Sequence, residues 1–233
     1  MKTHSIFPTL IIEKHNDNNE EFKDVFFKYL FDYIKKSGYS HERTGDVIFH
    51  KIPEYENIFK YINDGIKDYI KSLNADPDIF DINFVKSWLN VLKDTNGPIH
   101  NHMDAHLSFS YYINVPDELV FSIFFRNREL GDNWNDVNNA ILRVNVMEAN
   151  EFNSEIYNII PEEGDLLVFP SKLMHGVMKL DDEIKHKEDP FYEIEDLKTM
   201  RVCIAGDILL TYKDLQPLPL GLQPIKNWKT FTN

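Results

Sequence analysis

At 233 residues, with 42 % hydrophobic and 13 % aromatic content, the chain can bury one sizeable core and is too apolar to be disordered. Its 38 acidic against 25 basic side chains give a formal charge of −13, which works against binding a phosphate backbone and disfavours nucleic acid as a partner. A single cysteine, Cys203, leaves no intramolecular disulfide framework, and no apolar run nears the length that spans a bilayer, so a soluble, cytoplasmic protein without membrane attachment is expected.

Residues 5–12 read as a short first strand. Next, "NNEEFKDVFFKYLFDYIKKSG" sets Phe22, Val25, Phe26, Tyr29, Leu30, Tyr33 and Ile34 at helical spacing, with Asn18 and Glu21 as a capping box and Gly38 as a stop. "PEYENIFKYINDGIKDYIKSL" repeats the pattern with Tyr55, Ile58, Phe59, Ile62, Ile66, Tyr69 and Ile70. Two such amphipathic helices must bury their apolar stripes against something, and the aromatic residues in them read as core.

From residue 82 the texture changes to short apolar runs between turn residues: "FVKSWLNVL", "LSFSYYINV", "LVFSIFF", "AILRVNV", "IYNIIP", "DLLVFP", "HGVMKL" and "RVCIAGDILL". The spacing predicts a mainly β chain with flanking helices, whose jelly-roll core packs against the two N-terminal helices. One domain is expected over 1–233, with a strand and helices over 1–80, the jelly roll over 82–210 and an extended, Pro-punctuated tail over 211–233. The polar segment "RNRELGDNWNDVNN" reads as a loop, and the acidic "DDEIKHKEDPFYEIEDLK" as an insertion between two strands. Long loops over a barrel mouth tend to determine what binds, so 126–139 and 181–198 are the expected determinants of substrate choice.

The chemistry concentrates in "GPIHNHMDAHLSFSYYINVP", where His100, His102, Asp104 and His106 fall within seven residues ahead of a strand. Side chains two apart on extended backbone point to the same side, with Cα atoms roughly 6.5 Å apart, so both His100/His102 and His102/Asp104 can chelate. Met103 follows His102 where the HExxH helix motif requires glutamate, which excludes that motif. Downstream, "EEGDLLVFPSKLMHGVMKL" places His175 at the start of another strand. His102, Asp104 and His175 make a 2-His-1-carboxylate set, whose open metal face suits non-haem Fe(II). In "RVCIAGDILL", Arg201 shares a strand face with Cys203 and Ala205; if that face lines the interior, its guanidinium needs an anion, and a carboxylate matches its fork. Taken singly, each feature has a plainer reading: solvated histidines in a turn, a structural histidine at a strand start, an edge arginine paired with a surface acid.

Together, "SWLNVLKDTNGPIHNHMDAHLSFSYYINVP", "GDLLVFPSKLMHGV" and "RVCIAGDI" resemble the Fe(II)- and 2-oxoglutarate-dependent oxygenases, in particular the prolyl-hydroxylase-like branch and its phage-type relatives. The resemblance runs from Ser87 to about Ile208, and "SIFPTLII" is similar to the N-terminal strand of the phage-type relatives. It implies a double-stranded β-helix that uses Fe(II), 2-oxoglutarate and O2 to hydroxylate a C–H bond of a peptide, amino acid or small molecule, releasing succinate and CO2. His102, Asp104 and His175 match the iron ligands, Arg201 the residue that grips the distal carboxylate of 2-oxoglutarate, and Tyr112 a tyrosine that helps hold it. Ser108 and Asn90 fall where polar residues line the cosubstrate pocket, whereas His100 and His106 match no ligand position. Phe109 stands where the phage-type pattern carries glycine, a change expected to narrow the pocket.

Two other readings use the same residues. A cupin-type metalloprotein would use His100-x-His102 as a ligand pair, so ligation by His100 with Asp104 free favours it. A non-catalytic jelly-roll binding or structural module would have let the site decay.

Overall fold

Strand β4 (Leu107–Asn114) is buried along its whole length, which requires cover on both of its faces. Leu107, Phe109, Tyr111 and Ile113 enter one apolar core, while Ser108, Ser110 and Tyr112 line a cavity on the other side. The same alternation runs through its neighbours. In β7 (Asp165–Pro170) Leu166 and Val168 join the first core, and Leu167 and Phe169 point the opposite way into a second cluster with Tyr112, Ile123 and Phe125. In β9 (Arg201–Tyr212) Val202, Ile204 and Ile208 join the first core, and Arg201, Cys203 and Ala205 face the cavity.

The computed structural model describes residues 9–37, 48–93, 96–126, 156–180, 197–214 and 221–230. Among them, β1 (Ile12–His15), β7, β4, β9 and β2 (Phe80–Leu92) form a five-stranded antiparallel sheet in that order. A second antiparallel sheet runs β3 (Gly97–His100), β8 (His175–Lys179), β5 (Phe121–Arg126) and β6 (Ile156–Ile159). From β2 onward the chain crosses between the sheets so that strands distant in sequence become neighbours, the winding of a jelly roll. The first strand lies at Ile12–His15, extending the five-stranded sheet beside β7, where residues 5–12 were expected. Residues 1–8, Gly38, the run "AILRVNV", and all but the ends of the loop 126–139 and of the acidic insertion fall outside the described residues.

Helices α1 (Asn19–Ser37) and α2 (Glu56–Ser72) cover the outer face of the five-stranded sheet. Phe26 and Leu30 of α1 and Ile58, Ile62, Ile66 and Tyr69 of α2 share one core with Tyr111, Leu166 and Ile204. At the start of α1 the buried Asn16 accepts the Asn18 N–H on its side chain (3.1 Å) and the Asn19 N–H on its carbonyl (3.1 Å), satisfying donors that a helix leaves orphaned. The Tyr55 hydroxyl donates to the Phe26 carbonyl at 3.0 Å, tying the start of α2 to α1.

Phe109 is among the residues lining the cavity, but its ring points to the other side of the sheet. The ring packs among Phe59 and Phe84 beneath the helices, at centroid separations of 6.3 and 5.9 Å. Room for it comes from the next strand, where Gly206 is its register partner. A Cβ at Gly206 would lie 2.6 Å from the Phe109 ring and 2.7 Å from the Lys86 carbonyl oxygen, and that backbone atom cannot swing aside. Gly206→Ala is therefore an overpacking change that destabilises by about 1–3 kcal/mol. The check is a lower urea midpoint at unchanged denaturant slope.

Candidate metal centre and anion pocket

Strands β3 and β8 pair antiparallel with His100 directly opposite His175, which brings the two rings to a 4.6 Å centroid separation. His102 follows two residues beyond the end of β3, its backbone N–H donating to the Ser171 carbonyl at 2.7 Å. Its ring stacks between Trp88 (5.3 Å) and His100 (4.9 Å), 27° from parallel to each, and lies 5.3 Å from His175. One ring nitrogen from each of the three histidines falls within 4.8 Å of the others.

The hydrogen bonds decide which nitrogens these are. Nδ1 of His100 lies 2.9 Å from the Pro98 carbonyl, Nδ1 of His175 lies 2.8 Å from the Leu173 carbonyl, and Nδ1 of His102 lies 2.6 Å from Oδ1 of Asp207. Carbonyl oxygens cannot donate, so Nδ1 of His100 and His175 carries the proton; Asp207, held ionised, imposes the same on His102. In the neutral imidazole this leaves the lone pair on Nε2 in all three rings. Nε2 of His102 is buried with no hydrogen-bond partner among the described residues, a cost that a metal ion would remove. Three neutral imidazoles with fixed tautomers are a donor set suited to a divalent transition metal.

Burial pushes His175 down to about 4, against the opposing effect of the Leu173 carbonyl, so its ring is neutral at ordinary pH. Burial works to raise the Asp207 carboxyl, but the hydrogen bonds from His102 and Ser108 and the nearby Lys86 ammonium outweigh it and hold the group below its usual range. Asp207 is fully buried; Ser108 Oγ donates to its Oδ1 at 2.7 Å, and Lys86 Nζ lies 3.2 Å from its Oδ2.

Deeper in the same cavity stands Arg201, 2 % exposed, its guanidinium 4.7 Å from the Tyr112 ring and 5.6 Å from that of Phe121. Among the described residues, its Nε and Nη1, the Tyr112 hydroxyl and the Asn90 side-chain oxygen are buried without hydrogen-bond partners. A buried cation without an anion is costly, and the cavity wall between Arg201 and the histidines is where an anionic ligand fits. Burial pushes the Tyr112 hydroxyl upward, so it stays protonated and can donate. Burial likewise raises the Cys203 thiol, which keeps it from acting as a nucleophile.

Of the residues singled out in the sequence, His102, His175, Arg201, Tyr112, Ser108 and Asn90 all line this one cavity. Asp104 does not: it is exposed, outside the three-histidine cluster, and His100 stands in the cluster in its place. The cause is local, because residues 103–104 form a turn, and the rule that puts i and i+2 on one side holds only for extended backbone. His106 points away as well, exposed, with its Nδ1 accepting the Leu210 N–H at 3.0 Å. Asp207 escaped the sequence reading, although an aspartate inside the apolar run "RVCIAGDILL", on the face that carries Arg201 and Cys203, was its signal.

The depressed His175 fixes the sign of an acid response. Its neutral form is favoured by folding, so its contribution is complete above the ordinary value of 6.5 and is lost as pH falls toward about 4. In metal-free protein, the stability advantage of wild type over His175→Gln should shrink steadily across that window when urea midpoints are compared. An advantage independent of pH would contradict the assignment.

The fold is similar to that of a non-heme monooxygenase, the ThoJ–nickel complex, at TM-score 0.53 and 9 % identity, covering 88 % of this chain and 76 % of that one. It is also similar to the non-heme alpha-ketoglutarate-dependent carbocyclase SnoK from nogalamycin biosynthesis, at TM-score 0.50 and 12 % identity, covering 90 % and 84 %. At such identities the likeness is one of fold. No curated protein matches the chain. Among the described residues, no helix is long and apolar enough to cross a membrane. Residues 86–186, from within β2 to just beyond β8, match the family described as "Putative 2OG-Fe(II) oxygenase", a family that implies Fe(II), 2-oxoglutarate and O2, and this segment carries all three histidines.

Proposed function

We propose that this protein is an Fe(II)- and 2-oxoglutarate-dependent dioxygenase that hydroxylates a C–H bond of a peptide, amino acid or small molecule. In this reading His100, His102 and His175 hold the metal through Nε2. Arg201 and Tyr112 grip the far carboxylate of 2-oxoglutarate, and Asn90 offers its amide to the same molecule. One observation carries the proposal: a single cavity joins three histidine rings, each with one nitrogen within 4.8 Å of the others, to a buried guanidinium that has no anion among the described residues. When bound, iron with 2-oxoglutarate supplies the oxidising power, converting 2-oxoglutarate and O2 to succinate and CO2 while one oxygen atom enters the substrate.

The chain's own contribution is position and charge. Arg201, flanked by the Tyr112 and Phe121 rings, presents a planar fork from a water-poor wall, so a carboxylate docks there in one orientation. The Tyr112 hydroxyl donates a second hydrogen bond. Trp88 closes one side of His102 and restricts the ring's motion. The ligand set departs from the 2-His-1-carboxylate set by one residue, with His100 taking the place of Asp104.

Anaerobic titration of metal-free protein with Fe(II) and 2-oxoglutarate tests this directly. Wild type and Asp104→Ala should both develop the weak visible charge-transfer band of the chelate, and His100→Ala should lose it. Arg201→Gln should need about 10–100-fold more 2-oxoglutarate, the loss of one charge-assisted pair worth about 1.5–3 kcal/mol. A band that survives in His100→Ala and vanishes in Asp104→Ala would return the ligand role to the carboxylate.

The histidine pair His100-x-His102 also favours a second reading, a cupin-type metalloprotein that oxidises its substrate without a keto-acid cosubstrate. Oxygen uptake separates the two, since only the first requires 2-oxoglutarate. A non-catalytic jelly-roll module has less support, because it would have no use for a buried, unpaired arginine beside three histidines.

A further inference from the structure

We infer that Asp207 is the positioning residue of the metal centre, the one group that sets the tautomer and the basicity of His102. The inference rests on the reading of His100, His102 and His175 as ligands. Among these three rings, His100 and His175 give their Nδ1 proton to neutral backbone carbonyls, of Pro98 and Leu173. His102 alone gives it to a carboxylate, at 2.6 Å. A charged acceptor raises electron density on the opposite nitrogen more than a carbonyl does, so His102 becomes the strongest donor of the set.

Besides His102, two contacts hold the carboxylate in place. Asp207 lies opposite Lys86 in one register and opposite Ser108 in the other, so both neighbouring strands of β9 supply a donor. Ser108 Oγ donates to Oδ1 at 2.7 Å, and Lys86 Nζ stands 3.2 Å from Oδ2. With Oδ2 facing an ammonium, Oδ1 is directed to His102. Full burial keeps water from competing for either oxygen. Ser108 therefore acts through Asp207, a different task from lining a cosubstrate pocket.

The same contacts predict what an amide would do. In Asp207→Asn the carbonyl turns toward the Lys86 ammonium, because an NH2 group facing it would set donor against donor. The NH2 group then faces His102 Nδ1, which must accept, so the proton moves to Nε2 and blocks the lone pair that would bind metal.

The first measurement is the nitrogen-15 ring spectrum of metal-free wild-type protein. His102 should be protonated on Nδ1; protonation on Nε2 overturns the inference without any variant. In Asp207→Asn the His102 proton should move to Nε2 while His100 and His175 stay as they are. Co(II) titration of the full chain, read by its visible bands, should show about 10–100-fold weaker binding with a shifted spectrum. Adding Lys86→Met to Asp207→Asn frees the amide to turn its carbonyl to His102, and should restore the Nδ1 proton and part of the affinity; a merely structural aspartate would not respond in this way. An Asp207→Asn protein with unchanged tautomer and Co(II) affinity within about twofold of wild type overturns the inference. Full Co(II) affinity in His100→Ala would instead sink the three-histidine reading and leave the coupling of His102 to Asp207 to stand on its own spectra.

Discussion

The whole arrangement depends on burying the five-stranded sheet on both faces. One parity of side chains along β4, β7 and β9 must be apolar to meet α1 and α2, which leaves the other parity to build a cavity against the second sheet. The helices thus matter to the site although none of their residues line it. Without them, Tyr111, Leu166 and Ile204 would face water, and nothing would hold Tyr112, Cys203 and Arg201 pointing the opposite way. A one-residue slip between β4 and β9 would exchange the two sets and bring Phe109 into the cavity. The match of Phe109 to Gly206 guards against that slip, because only the observed register sets the large ring opposite a residue with no side chain.

Within this frame the cavity is an electrostatic exception in an acidic protein. The chain carries a formal charge of −13, yet the cavity side holds a buried guanidinium and three imidazoles, those of His102 and His175 buried and that of His100 exposed, with one carboxylate already committed to His102 and Lys86. A core built for stability alone would hardly place an unpaired arginine there, since an apolar side chain would cost less. The lack of an anion for Arg201 among the described residues is the strongest physical reason for expecting a ligand, because it follows from desolvation and needs no likeness to other proteins.

Much of this was legible in the sequence, for reasons that differ residue by residue. Arg201, Cys203 and Ala205 were placed on one face by strict alternation, which holds because β9 is a long, regular strand. His102 and His175, which share the cavity, were singled out by their position beside strand-like runs. Asp104 was assigned by the same alternation, but the chain turns at 103–104, and spacing carries no information about facing across a turn. His100 was visible only as half of an alternative pair, because its partner is His175, set by register across β3 and β8, and register is a tertiary fact. Asp207 was hidden among the apolar residues of its strand, where only burial on both faces shows that a carboxylate there must have partners.

In the proposed three-histidine reading, the exchange of Asp104 for His100 changes the charge at the centre. A carboxylate ligand would cancel one unit of the metal's charge at first contact, and three neutral imidazoles cancel none. Asp207 restores a negative charge one ring further out, delivered through the His102 imidazole rather than by direct ligation. Its compensation is weaker, and it is confined to the side of the centre where His102 stands. The remaining positive charge is open to an anion on the cavity side, where Arg201 also lacks one. With the proposed metal in place, two separate deficits of negative charge, at the metal and at the guanidinium, would lie at the two ends of one cavity, and a dicarboxylate such as 2-oxoglutarate would answer both at once.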